Sequence, residues 1–203
     1  MTVNESSTIA TKWRVFCAVE LPQALQEKIE QHVQRLRKIV PEAKASWSRP
    51  GNVHLTLKFF GDVEMNRVGK ISEAASRATQ TTSPFSIGVR GTGAFPKINQ
   101  PKVLWIGIDD VQKELSNLQQ SVETECANEE FPKDERAFRP HLTVARLRNP
   151  HRARELAQAH QELGFETLIV PVREIVVFRS QLSSEGSTYT VISRHELRRE
   201  TTP

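Results

Sequence analysis

The sequence contains one short histidine and threonine pattern twice. It reads His-Leu-Thr-Leu from His54 and His-Leu-Thr-Val from His141. In each copy a polar residue alternates with an aliphatic one, which is typical of a β-strand with one buried face. Because residues i and i+2 of a strand share a face, the histidine and threonine of each copy are predicted to point into one cleft. The candidate site residues are His54, Thr56, His141 and Thr143.

Two histidines facing one cleft are suited to acid–base catalysis near neutral pH. An unperturbed histidine has a pKa of about 6.5, so one imidazole can accept a proton while the other donates one. Threonine hydroxyls beside them can hydrogen-bond the non-bridging oxygens of a phosphate and stabilise charge in the transition state. Such a site needs no covalent intermediate, and we predict no metal and no organic cofactor.

Other chemistries lack their sequence signatures. A lone histidine on a strand is more often structural, but a matched pair in the same context argues against that interpretation. A zinc site requires a third protein ligand at suitable spacing, and no such cluster is evident. The nucleophile elbow Gly-x-Ser-x-Gly and the phosphate loop Gly-x-x-x-x-Gly-Lys are both absent from the sequence.

Length and composition predict one soluble domain. The chain has 203 residues, of which 37% are hydrophobic, and no apolar run approaches a membrane span. The N-terminus lacks the pattern of a signal peptide, and the two cysteines have no metal-binding spacing. We therefore expect a cytoplasmic protein with one bilobal domain at 12–197, a flexible tail at 1–11 and a short tail at 198–203.

The positive charge is concentrated near the second motif. The formal net charge is +4, and the arginines that crowd around this motif are Arg136, Arg139, Arg146, Arg148, Arg152 and Arg154. A basic rim beside two histidines indicates an anionic ligand such as a phosphodiester. Taken singly, each arginine is explained equally well by a solvated charged face.

The order of predicted elements favours an α+β fold. Strands and helices occur in mixed order with long antiparallel pairs, which argues against a doubly wound sheet. We predict two lobes of mostly antiparallel sheet, related by a pseudo-two-fold axis, with the two motifs facing each other across a central cleft. Glycines and prolines predict a long loop at 93–101, Gly61 is expected to end the first motif strand, and residues 166–178 are predicted to form one strand.

The two motif strands resemble those of the 2H phosphoesterase superfamily. The strings HLTLKFFGDV from His54 and FRPHLTVARL from Phe138 are similar to those of its RNA 2′,3′-cyclic phosphodiesterases, also called 2′-5′ RNA ligases. The resemblance extends from about Trp13 to Leu197. It implies metal-independent hydrolysis of a 2′,3′-cyclic phosphate at an RNA end to a 2′-phosphomonoester, with weak 2′-5′ ligation as the reverse reaction.

The resemblance also implies a role for each motif residue. His54 is the expected proton donor to the departing ribose O3′, and His141 is the expected proton acceptor that activates water. The sequence leaves the reverse assignment open. Thr56 and Thr143 are expected to hold the phosphate.

The roles expected of three further residues depend on which face of the strand each one occupies. Arg146 matches the arginine of the second motif, although strict alternation places it off the face of His141. Phe59 matches an aromatic residue that stacks on the terminal base, the alternative being a core position. Lys58 is expected on the His54 face, either contacting phosphate or solvated.

The expected partner is an RNA with a 2′,3′-cyclic phosphate end, with tRNA fragments as one candidate. No membrane partner is expected, and the chain is predicted to be a monomer. Two other functions remain open at this point. One is a module that binds nucleotides or RNA without turnover, and the other is a phosphodiesterase acting on a small cyclic phosphate.

Overall fold

Two antiparallel sheets form the body of the protein. The computed structural model describes residues 11–183 and 186–198. Its strands are β1 Lys12–Glu20, β2 Ser46–Trp47, β3 His54–Glu64, β4 Phe85–Lys97, β5 Gln100–Asp109, β6 His141–Arg146, β7 Leu168–Val172, β8 Glu174–Ser183 and β9 Gly186–Glu196. The first sheet has the order β3-β1-β8-β9, and the second has the order β2-β6-β5-β4-β7. The predicted α+β class with two antiparallel lobes is confirmed.

Helices pack against one face of each sheet. The helices are α1 Gln23–Ile39, α2 Val68–Thr79, α3 Glu114–Asn128 and α4 Ala153–Leu163. Helices α2 and α3 lie on the first sheet, and α4 packs on the second sheet with α1 beside it. The aliphatic residues of α1 recur at helical spacing and are buried, namely Leu25, Ile29, Val33 and Leu36. The uncovered faces of the two sheets are called the cleft faces below.

The predicted loop at 93–101 is wrong, because these residues continue a long β-hairpin. Strands β4 and β5 pair until Lys97 meets Gln100, which leaves a two-residue turn. Gly93 lies opposite Trp105, and a Cβ atom added at Gly93 would lie 2.3 Å from the indole Cζ2. This glycine therefore makes room for a side chain in the middle of a strand instead of forming a turn.

Two other predicted boundaries are also wrong. Strand β3 continues through Gly61 to Glu64, since Gly61 adopts a φ of 73° next to a β-bulge without ending the strand. Residues 166–178 form two strands that are separated at Arg173 and belong to different sheets. At this point the chain crosses from the second sheet back to the first.

The predicted tails lie almost wholly outside the described residues, which begin at Thr11 and end at Arg198. The proposed domain boundaries remain predictions. Within the described part of the chain, none of the helices is both long and apolar enough to cross a membrane.

Candidate active site

The two motif strands approach each other at the junction of the two sheets. The residues that separate each histidine from its threonine, Leu55 and Leu142, are fully buried in the main core. Strand alternation therefore turns the polar side chains toward the cleft faces. These side chains, all partly exposed, are His54, Thr56, His141 and Thr143.

Both histidines are oriented by a backbone carbonyl two residues earlier in the chain. Nδ1 of His54 donates to the carbonyl oxygen of Asn52 at 2.8 Å, and Nδ1 of His141 donates to that of Arg139 at 2.7 Å. A carbonyl oxygen only accepts hydrogen bonds, so Nδ1 carries the hydrogen in both rings. Nε2 is left on the far side of each ring, where it can exchange a proton without disturbing the orienting bond.

His54 sits in an aromatic enclosure on the first sheet. The ring of Phe16 stacks on its imidazole with centroids 4.5 Å apart, and Tyr189 meets it edge-on at 5.2 Å. Burial lowers the pKa of His54, because a charged imidazole loses solvation there. The hydrogen bond to the Asn52 carbonyl acts in the opposite direction and offsets part of this effect.

His141 has a different setting on the second sheet. The ring of Phe95 meets the His141 imidazole edge-on, with centroids 5.0 Å apart and planes at 85°. Phe95 in turn packs against Trp105, which lies opposite Thr143 in the sheet. The two imidazoles are thus held alike by the backbone but differ in their surroundings.

A β-bulge brings Arg146 onto the same face as Thr143. Thr143 lies opposite Trp105, whereas Arg146 lies opposite Val103, and the extra residue between them is Val144. Val103 and Trp105 are two residues apart and share a face, so Arg146 and Thr143 share it as well. The expectation that Arg146 alternates off this face is therefore wrong. Its side chain is exposed and forms no ion pair with any described residue.

A second bulge, at Leu57, reverses the predicted placement of Phe59 and Lys58. Phe59 lies opposite Phe16, whose ring contacts His54, so Phe59 is on the cleft face. It is 50% exposed, which excludes the core alternative. The guanidinium carbon of Arg14 lies 4.6 Å from the centroid of the Phe59 ring.

Lys58 points away from the cleft and is buried. Its ammonium group donates to a carboxylate oxygen of Glu123 at 2.6 Å and to the carbonyl of Pro132 at 2.8 Å. The expectation that Lys58 contacts phosphate or solvent from the His54 face is therefore wrong.

The basic rim contains fewer available arginines than its composition indicated. Arg136 is paired with Asp134, and Arg152 is paired with both Glu155 and Glu42. The rim arginines that form no ion pair with a described residue are Arg139, Arg146, Arg148 and Arg154.

Reasoning from the sequence missed the groups that orient and enclose the histidines. The Asn52 and Arg139 carbonyls are backbone atoms, so side-chain type carries no signal for them. Phe16 and Tyr189 belong to strands that are far from His54 along the chain. Only the pairing of the strands in the sheet brings their rings to His54. Asn52 itself is anchored, since its side-chain amide donates to the carbonyl of Ser187 at 2.6 Å.

Comparisons with known proteins identify the family of the chain. The model of the 2′-5′ RNA ligase superfamily matches residues 25–183. The chain is 35% identical to an RNA 2′,3′-cyclic phosphodiesterase of Methanothermobacter thermautotrophicus, over 88% of this chain and 96% of the relative. It is 30% identical to an RNA 2′,3′-cyclic phosphodiesterase of Aquifex aeolicus, over 84% of this chain and 92% of that relative.

Its fold is also similar to that of a solved structure. The crystal structure of TT0787 of Thermus thermophilus superimposes with a TM-score of 0.73, at 25% identity over 92% of this chain and 99% of the other. With motif strands, fold and sequence in agreement, the chain belongs to the 2′-5′ RNA ligase superfamily, among the RNA 2′,3′-cyclic phosphodiesterases.

Proposed function

We propose that this protein hydrolyses 2′,3′-cyclic phosphate ends of RNA to 2′-phosphomonoesters, with His54 and His141 as the acid–base pair. The observation that carries the proposal is the matched orientation of the two imidazoles. Each Nδ1–H is bound to a backbone carbonyl, which leaves both Nε2 atoms available for proton transfer. The relatives that bear the name RNA 2′,3′-cyclic phosphodiesterase support the same reaction.

The reaction requires one proton to be taken from water and one to be given to the leaving group. In the proposed roles, Nε2 of His141 accepts a proton from water as its oxygen attacks the phosphorus. The bond from phosphorus to O3′ breaks, and Nε2–H of His54 protonates O3′. The product carries a 2′-phosphate and a 3′-hydroxyl, and exchange with solvent restores both histidines. Each acid or base role is worth about 10²–10⁴ in rate.

The assignment of the two roles follows the family resemblance. Burial favours the neutral form of His54 by lowering its pKa. A bound phosphodiester carries a negative charge that raises the pKa of a nearby imidazole. Substrate binding would therefore supply the protonated His54 that the donor role requires.

Thr56, Thr143 and Arg146 are the proposed phosphate ligands, and Phe59 is the proposed stacking surface for the terminal base. All four lie on the cleft faces. No group of three metal-ligating side chains occurs among the described residues, and the proposal includes no metal and no other cofactor.

The proposed substrate is an RNA end, with tRNA fragments as candidates, and the protein is proposed to act as a monomer. If a ribose 5′-hydroxyl attacks the cyclic phosphate in place of water, the same acid–base pair would protonate the departing O3′ and form a 2′-5′ linkage, which is the proposed weak ligation. A cytoplasmic location is proposed because Cys17 and Cys126 are free thiols in the core, which suits a reducing compartment.

The test is incubation of the purified protein with a short RNA ending in 2′,3′-cyclic phosphate, in the presence of EDTA. We expect a 2′-phosphate product that is lost in both His54→Ala and His141→Ala. A 3′-phosphate product would show that the bond from phosphorus to O2′ breaks instead, and that the proton is donated to O2′. Binding of the RNA without any turnover would favour a binding module and overturn the proposal.

A further inference from the structure

The loop that leads into His141 is attached to the strand that carries His54. Lys58, on β3, donates to the carbonyl oxygen of Pro132 at 2.8 Å and to Glu123 of α3 at 2.6 Å. The side chains of Lys58 and Glu123 are only 3% and 10% exposed. A buried pair therefore connects the first motif strand, helix α3 and the start of this loop.

Glu123 extends the connection further along the loop. The same carboxylate accepts the backbone N–H of Asp134 at 3.3 Å, and its other oxygen accepts the side-chain amide of Gln119 at 3.2 Å. The carboxylate of Asp134 then holds Arg136 through its Nε at 3.0 Å and its Nη2 at 2.9 Å. An unbroken series of hydrogen bonds thus joins β3 to Arg136.

Residues 132–137 depend on these bonds for their position. They form neither helix nor strand, and all six residues are exposed. Phe131 before them is buried, and Phe138 after them packs partly on the core. Between these two anchors, the hydrogen bonds from described residues of the body to the loop are those of Lys58 and Glu123.

The energetics of a buried ion pair point to a positioning role. Removing two charges from water is costly, and replacing such a pair with apolar side chains of similar size is often neutral for stability. Whatever its effect on stability, the Lys58–Glu123 pair has a geometric effect, because it connects the loop to the strand of His54. It fixes where the loop lies relative to His54.

We propose that Lys58 and Glu123 are positioning residues that hold the 132–137 loop, which leads into the His141 strand, so that its cations contact RNA upstream of the cyclic phosphate. The cations are Lys133 and Arg136, both exposed. The Arg136 side chain is 86% exposed although it pairs with Asp134, so part of its guanidinium faces solvent. The loop continues directly into Arg139 and His141, which keeps it beside the reacting end. This inference rests on the proposed function.

The test replaces the pair with two apolar residues, as Lys58→Met/Glu123→Met. We expect a melting temperature close to that of the unmodified protein, because the packing volume is retained. For an oligonucleotide ending in 2′,3′-cyclic phosphate, KM should rise about tenfold, the loss of roughly one charged hydrogen bond. For this substrate kcat should be unchanged, and for a 2′,3′-cyclic mononucleotide both constants should be unchanged.

Limited trypsin digestion measures the attachment without using activity. Cleavage after Arg136 should be faster in the double variant while the rest of the protein stays folded. The matched control is Arg77→Met/Glu125→Met, which removes an exposed ion pair joining α3 to α2. This control should alter neither KM nor the cleavage rate at Arg136.

A surface variant keeps the inference testable if the buried double variant does not fold. Lys133→Ala/Arg136→Ala changes only exposed side chains and should raise KM for the oligonucleotide by a similar factor. Equal KM values for this variant and the unmodified protein would overturn the inference. If the unmodified protein turned over neither substrate, the proposed function itself would fail, which is a distinct result.

Discussion

The ring of Phe16 lies on the imidazole of His54, with 4.5 Å between the centroids and 26° between the planes. This contact contributes to the burial that lowers the pKa of His54. In Phe16→Ala, water reaches the imidazole, so we expect the pKa of His54 to rise toward its ordinary value of about 6.5. NMR titration of the His54 ring protons measures the change. Phe95→Ala, which alters the surroundings of His141, should leave the His54 titration in place.

The pH dependence of residual activity distinguishes donor from acceptor. In His141→Ala the remaining turnover relies on His54, and a proton donor loses activity as pH rises through its pKa. We therefore expect the residual kcat/KM of His141→Ala to fall with rising pH, and that of His54→Ala to rise. If both slopes had the opposite sign, His141 would be the proton donor and His54 the proton acceptor.

The salt dependence of kcat/KM should decrease in Arg146→Ala. If Arg146 neutralises a phosphate, its removal should reduce the slope of log(kcat/KM) against log salt by about 0.7, the value for one contact on a single strand. Arg152→Ala is the matched control, because Glu155 and Glu42 already pair with that guanidinium. If the two variants had equal slopes, Arg146 would not contact phosphate and would be an ordinary solvated side chain.

Phe59→Ala should weaken substrate binding without affecting folding. The side chain is half exposed, and stacking on one base is worth about 1–3 kcal/mol. We expect KM to rise by a factor of about 5 to 150, with the same effect for all four terminal bases. Phe59→Tyr should restore binding, and the exposed Met65→Ala should leave KM unchanged. An unchanged KM in Phe59→Ala would show that Phe59 does not stack on the terminal base.

A buried pair of histidines predicts sensitivity to acid. His32 and His160 are joined by a 2.8 Å hydrogen bond, and burial lowers the pKa of His32 to about 4 and also lowers that of His160. Between pH values of about 6.5 and 4, the unfolded chain binds more protons than the folded one. The free energy of unfolding should therefore fall as the pH falls through this range, and this contribution should be constant above it.

Chemical denaturation at several pH values measures this slope. In His32→Leu/His160→Leu the slope should be smaller, although absolute stability also falls because the bond from His160 to the Trp105 carbonyl is lost. His151→Leu changes an exposed histidine and should leave the slope as it was. An unchanged slope in the double variant would show that the pair binds equal numbers of protons in the folded and unfolded states, which would contradict the prediction.

The sequence was sufficient to predict the features that depend on strict alternation. His54 and Thr56 share a face, Leu55 is in the core, and the second motif repeats this arrangement. A period of two specifies such placement from local information alone. The helix from Gln23 to Ile39 was predictable for the same reason, since its apolar residues recur at helical spacing.

Features that depend on register were not predictable. The bulges at Leu57 and Val144 shift the alternation by one residue, and this alone brings Phe59 and Arg146 onto the cleft faces. A bulge is specified by how two strands pair, which a single strand does not encode. Gly93 was mistaken for a loop residue because the indole that needs its space comes from the neighbouring strand.

The carbonyl that orients each histidine has a consequence for how such a site is inherited. Since it lies two residues upstream, one continuous stretch of five residues contains the imidazole, its anchor and the threonine, first from Asn52 and again from Arg139. Among the described residues, neither half takes an orienting carboxylate from elsewhere in the fold. Sequence changes in parts of the fold that contact neither stretch therefore leave the orientation of both imidazoles unchanged, provided that the two motif strands keep meeting.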